Sequence, residues 1–179
     1  MDKLSSSRIW MMRLVYAGLA LVIMFFHLLP LSTLPNRWTP PDLLIALTFA
    51  WTMRRPDFVP IAVVAAVMLA ADLLLQRPPG LLAALVVAGC AFLRPRTVGQ
   101  SEAGFVGEWF AVGVVLVAIT LVNQLILVVT DSGTAPLVLV LLQLVLTIAV
   151  YPLVVLASQV LFGVRRLAPS DAGAMGARS

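Results

Sequence analysis

Six apolar segments, separated by short polar turns, take up most of this 179-residue chain. They run Leu14–Leu31, Pro41–Met53, Phe58–Leu75, Pro79–Leu93, Trp109–Val129 and Pro136–Phe162. The first, third, fifth and sixth approach or exceed the roughly 20 residues that cross a bilayer as a helix. A water-soluble fold would have to cover such segments with charge, and charge is scarce. Only 11% of residues are charged against 61% hydrophobic, with a mean hydropathy of +1.06. Soluble domains carry roughly 25% charged residues. Lipid is therefore the expected solvent, and the expected fold is an all-α, polytopic membrane helix bundle.

The second and fourth segments are short, at 13 and 15 residues. Helices of that length span only about 20 Å of a hydrocarbon core about 30 Å thick. Arg54, Arg55, Arg77 and Arg94 flank them, and such side chains can snorkel while the bilayer thins locally. The distribution of basic residues separates true crossings from re-entrant pieces. Six transmembrane helices with a cytoplasmic N-terminus put ten of the 12 basic residues inside, leaving Arg37 and Arg77 outside. A re-entrant second segment gives at best eight to four. The positive-inside bias favours six crossings, both termini inside. Trp10, Trp38, Trp51 and Trp109 fall at or just beyond span ends, where indole prefers the headgroup region.

The first segment is long for a signal peptide and no small-x-small cleavage pattern follows, so a retained signal anchor is expected. Leu31–Pro40 reads as an outer loop. Thr39-Pro40-Pro41-Asp42 predicts a helix start with Thr39 as N-cap and a carboxylate three residues on. Residues 1–163 thus form the transmembrane domain, and 164–179, rich in Ala, Gly, Ser and Arg, a disordered cytoplasmic tail. No internal repeat aligns residue for residue.

Little in the chain is equipped for catalysis. The single cysteine, Cys90, lies in an apolar stretch and reads as filler. His27 is the only histidine, expected as a neutral imidazole bonded to a neighbouring helix near the outer interface. Hydrolytic or transfer chemistry needs a nucleophile, a base and an orienting group, and no such motif, phosphate loop or metal spacing is found. The net charge of +4 is spread singly or in pairs rather than on a basic face with interleaved aromatics, so nucleic-acid binding is not indicated. An enzyme is not expected, nor any cofactor or metal.

The informative polar residues form three sets. Asp42 and Asp72 fall near the outer boundary, with Arg37 and Arg77 close by. A carboxylate at that depth must be paired or hydrated, so these four residues read either as caps and ion pairs or as a docking or substrate contact. Asn123, Gln124 and Gln143 lie within the last two spans. Asn123 and Gln143 sit at matching depth for a hydrogen bond across an antiparallel pair, with a ligand contact as the alternative. Arg54-Arg55-Pro56-Asp57 forms a tight cytoplasmic turn, which serves topology and is also the most ordered surface there for a partner. Tyr151–Pro152 predicts a kink in the last span, with Thr147 or Ser158 satisfying freed backbone groups. Glu102 and Glu108 read as solvated charge in and beside the glycine-rich loop Gly99–Gly107.

Four stretches in order carry a family resemblance: Pro41-Asp42-Leu43-Leu44, Trp51-Thr52-Met53-Arg54-Arg55-Pro56, Ala71-Asp72-Leu73-Leu74 and Pro78-Pro79-Gly80-Leu81. Together they resemble the rod shape-determining membrane protein MreD family. The resemblance covers Pro41–Phe92. It departs where members often carry a glycine shortly before the acid and this chain has Met68-Leu69-Ala70-Ala71. It implies a non-catalytic inner-membrane subunit of the bacterial cell-elongation complex, with MreC, MreB, RodA and the elongation transpeptidase as partners. It also implies a fold similar to the substrate-binding components of energy-coupling-factor transporters. The family brings no catalytic residues to carry over.

Two functions are therefore weighed. One is an assembly protein, contacting partners through the rim of Arg37, Asp42, Asp72 and Arg77. The other is a small-molecule, vitamin-like binding component of a transporter. Such a site wants several convergent polar or aromatic groups among apolar ones. The candidates are few: Asn123, Gln124, Gln143, His27 and Tyr151. A channel would want a polar stripe along one span, and none has one.

Overall fold

The computed structural model describes residues 6–29, 39–95, 104–130 and 136–164. Among these the chain is all-helical. The helices are α1 (Ser6–Leu28), α2 (Leu43–Arg54), α3 (Ile61–Leu74), α4 (Leu81–Leu93), α5 (Gly104–Val129) and α6 (Leu137–Phe162), with a 3₁₀ turn at Pro56–Phe58. α1, α5 and α6 are long and apolar enough to cross a membrane, with mean hydropathy of 2.0, 2.6 and 2.6 over their most apolar windows. α2, α3 and α4, at 12, 14 and 13 residues, are shorter apolar helices. Arg37, Trp38, Glu102, most of the expected outer loop and the tail from 165 onward lie outside the described residues.

The helices are arranged around α2. α1, α4 and α6 pack directly on it, α3 joins α1 to α4, and α5 joins α4 to α6. Every residue of α2 after Leu43 is buried. A helix that is apolar all round belongs in such a position, and the few polar groups of α2 then need partners. Each has one. Tyr16 donates from α1 to Thr48 Oγ1 at 2.8 Å, and Thr48 itself donates to Leu44 O at 2.7 Å. Thr52 meets Cys90 Sγ at 3.5 Å, and Trp51 Nε1 donates to Ser158 Oγ at 3.1 Å. Close approach completes the packing at Gly89, where an added Cβ would lie 2.9 Å from Val115 and 3.1 Å from Phe49.

Trp51 corrects the headgroup assignment, because it is fully buried. The last turn of α2 is enclosed by other helices, so the indole meets Tyr16, Phe58 and Phe162, with ring centroids 5.8, 6.5 and 5.9 Å away. Trp10 and Trp109 are exposed. Two helix starts lie well before the expected ones, and the other four fall within three residues of them. α1 begins at Ser6 rather than Leu14, and α5 at Gly104 rather than Trp109, so Glu108 lies inside a helix. The outward faces of α1, α5 and α6 carry exposed Leu14, Phe25, Leu125, Val145 and Leu153. Such faces suit a lipid solvent.

α6 runs through Pro152 as one helix. Proline lacks the N–H that would bond the carbonyl four residues back, Ile148 O. Trp109 Nε1 of α5 donates to that carbonyl at 2.9 Å. The freed group is thus satisfied by a neighbouring helix. Thr147 and Ser158, the expected donors, make other bonds.

Candidate functional site

The polar residues gather at the two ends of α2. At the first end Asp42 is the N-cap of α2, its Oδ1 accepting from Ile45 N at 3.2 Å. The cap is therefore Asp42 rather than Thr39, because the two prolines delay the first helical turn to Leu43. Asp42 N donates to Thr147 Oγ1 at 2.9 Å, and Thr147 donates to Gln143 O at 2.7 Å, which ties α2 to α6. Asp42 Oδ2 lies 3.6 Å from Arg77 Nη1, in a pair whose side chains are 14% and 33% exposed.

Asp72, by contrast, is enclosed. Its Oδ2 accepts from Gly80 N and Ala83 N, both at 3.1 Å, so a carboxylate at the end of α3 caps the first turn of α4. Negative charge is favourable at a helix N-terminus, where N–H groups have no intrahelical acceptor. Gly80 holds a φ of +86° to turn its N–H toward that carboxylate, a conformation open to glycine at little cost. Of the expected rim contacts, Asp42 and Arg77 reach the surface, Asp72 is a buried cap, and Arg37 is not described.

Beside the Asp42–Arg77 pair lies a cavity of about 350 Å³, between the first turns of α2 and α4, the second half of α5 and the first half of α6. Asp42, Arg77, Asn123, Gln124 and Gln143 all line it. Residues from two sets that the sequence placed apart, Asp42 and Arg77 of the expected rim and the amides of α5 and α6, line one cavity. Among the described residues Asn123 and Gln143 do not bond to each other across α5 and α6. Both border the cavity instead. The Nε2 of Gln124 is buried with no hydrogen-bond partner. Leu81, Leu116, Ile119 and Leu144 supply apolar walls. His27 lies in a separate crevice of about 10 Å³ that also touches Asp42, Asp72 and Arg77.

At the second end, Arg54 Nε and Nη2 lie 3.2 and 3.3 Å from the two carboxylate oxygens of Glu108, a bidentate pair. Tyr151 of α6 donates to Glu108 Oε1 at 2.7 Å. The arginine is 4% exposed, and the acid and the tyrosine are fully buried. The solvated reading of Glu108 is therefore overturned, because the extra first turn of α5 carries it into the bundle interior. Arg54 likewise points inward and offers no surface to a partner. Arg55 is half-exposed, its guanidinium 5.6 Å from the Phe58 ring centroid. The rest of the turn is held by arginines from two other helices. Arg13 bonds Asp57 O at 3.3 Å, and Arg94 bonds Val59 O.

One signal in the sequence pointed at Glu108. A mid-span tyrosine hydroxyl needs a partner, and Glu108 abuts the apolar run that faces Tyr151. Nothing local fixed its depth. Among the described residues no three of His, Cys, Asp and Glu come together in a metal-binding group. No family model, curated protein or solved structure matches the chain.

Proposed function

We infer that the chain is a non-catalytic inner-membrane subunit of the bacterial cell-elongation complex, similar to MreD, that assembles MreC with the peptidoglycan synthases. In this reading all six helices cross the membrane and both termini are cytoplasmic. The Arg54 end, where Arg13, Arg55 and Arg94 also gather, then faces the cytoplasm and MreB. The fold would be similar to that of energy-coupling-factor substrate-binding components.

The observation that carries the reading is the use to which the resembling stretch is put. Asp42 and Asp72 cap helices, Trp51 is bonded to α6, and Arg54 is paired with α5. These residues hold a bundle around a buried helix, as suits an assembly subunit. The partner contact then falls to the partly exposed Asp42–Arg77 pair. A second reading, a small-molecule component of a transporter, is favoured by the cavity at the same end.

The two are separated by affinity purification of the tagged protein from its own membranes in mild detergent, with co-purifying proteins identified by mass spectrometry. Recovery of MreC, RodA or the elongation transpeptidase is expected. A transporter ATPase pair with its coupling subunit, and none of those three, would overturn the morphogenesis reading.

A further inference from the structure

The amides and charges around the 350 Å³ cavity do more polar work than packing requires. Its volume falls within the roughly 300–1,000 Å³ range of ligand sites, and its walls combine apolar side chains with a few convergent polar groups, as such sites do. Asn123 and Gln124 come from α5 and Gln143 from α6. Each primary amide offers two donors and a carbonyl acceptor. Gln124 Nε2 is already desolvated and has no acceptor in the protein. A buried donor without a partner is costly, and a small turn of the Gln124 amide toward the cavity would bring that donor to a ligand acceptor and remove the cost.

Charge narrows the class. The charged groups lining the cavity, Asp42 and Arg77, face each other at 3.6 Å. They compensate one another and leave no counter-charge for an ion, whose desolvation would then go unbalanced. An uncharged ligand fits. The walls present amide N–H donors together with amide carbonyl and carboxylate acceptors, so a ligand group that both donates and accepts can use either kind. Hydroxyls do this. We propose that the cavity binds an uncharged polyhydroxyl group such as a sugar, with Gln124 Nε2 donating to one of its oxygens and Leu116, Ile119 and Leu144 meeting an apolar portion. The same chemistry is offered by the head group of a neutral glycolipid and by a free glycoside. The proposal rests on neither reading of the protein's role, since the purified chain alone is enough to test it.

The test uses the full-length chain in nanodiscs of phosphatidylethanolamine and phosphatidylglycerol containing monoglucosyl-diacylglycerol. Native mass spectrometry then reads the lipids retained after release. The glucolipid is expected on the wild-type chain at least tenfold above its share in the disc. Free methyl β-glucoside should displace it if the site takes a soluble sugar, and should leave it in place if the site takes the lipid. Gln124→Met, close in volume and without the donor, should lower retention at least fivefold. Leu125→Ala, on the exposed face of the same helix, should leave it unchanged. The thermal midpoint of each variant shows that it is folded. Glucolipid retained only in proportion to its share, with no rise of the thermal midpoint on adding methyl β-glucoside, would overturn the proposal and leave a chamber that holds water alone. Equal retention by Gln124→Met would overturn it too. Recovery of MreC or RodA is unaffected by either result, so the two proposals fail separately.

Discussion

The two ends of α2 carry the same chemistry in opposite states. Each has an arginine–carboxylate pair, but Arg54–Glu108 is bidentate, 4% and 0% exposed, and joined by Tyr151. Asp42–Arg77 is a single contact at 3.6 Å, partly exposed, on the edge of a 350 Å³ cavity. Closed on all sides, the first pair can only hold α2, α5 and α6 together. The second leaves room beside it. An acid among apolar helices is thus a fixture or a site according to what surrounds it, and its residue type does not say which.

The contrast can be broken most forcefully at Glu108. Glu108→Ala strands a buried guanidinium, and removing one partner of a buried pair costs about 3–5 kcal/mol. The chain should lose most of its folded yield in detergent, read by size-exclusion chromatography and thermal unfolding. Replacing both partners, Arg54→Met with Glu108→Leu, should recover much of the loss. A smaller effect belongs to Asp72→Ala, which removes the cap from α4 and leaves Gly80 and Ala83 N–H without their acceptor. Loss of a cap costs about 1–2 kcal/mol, and Asp72→Asn should restore part of it in the same unfolding assay. The smallest belongs to Arg77→Ala. An ion pair open to solvent contributes about 0–1 kcal/mol, so stability should barely move. Recovery of MreC is where Arg77→Ala should show an effect, if the open end is the partner contact.

Much of the fold was legible because long apolar segments are the strongest signal a sequence carries. Each of the six segments overlaps a helix, and the helix in Pro136–Phe162 starts one residue later than the segment. Starts were harder where polar or glycine residues lead into a helix, as Ser6–Arg13 and Gly104–Glu108 do. That second misreading made a solvated charge of the acid that anchors the closed end. At the open end Asp42, Arg77, Asn123, Gln124 and Gln143 were all legible as unusual polar residues, in two separate sets. Their convergence on a cavity was not, because it depends on how α4, α5 and α6 are disposed around α2. Asp72 shows a different limit. Its acceptors' partners are backbone N–H groups, which leave no mark on residue identity.

The central claim, that one pair is a fixture and the other an open contact, is tested most directly by double-mutant cycles. Unfolding free energies would be measured in one detergent for Arg54→Met, Glu108→Leu and their combination, and for Asp42→Asn, Arg77→Met and theirs. A coupling of about 2 kcal/mol or more at Arg54–Glu108 is expected, against less than about 1 kcal/mol at Asp42–Arg77. Equal couplings, or a larger one at Asp42–Arg77, would contradict the account.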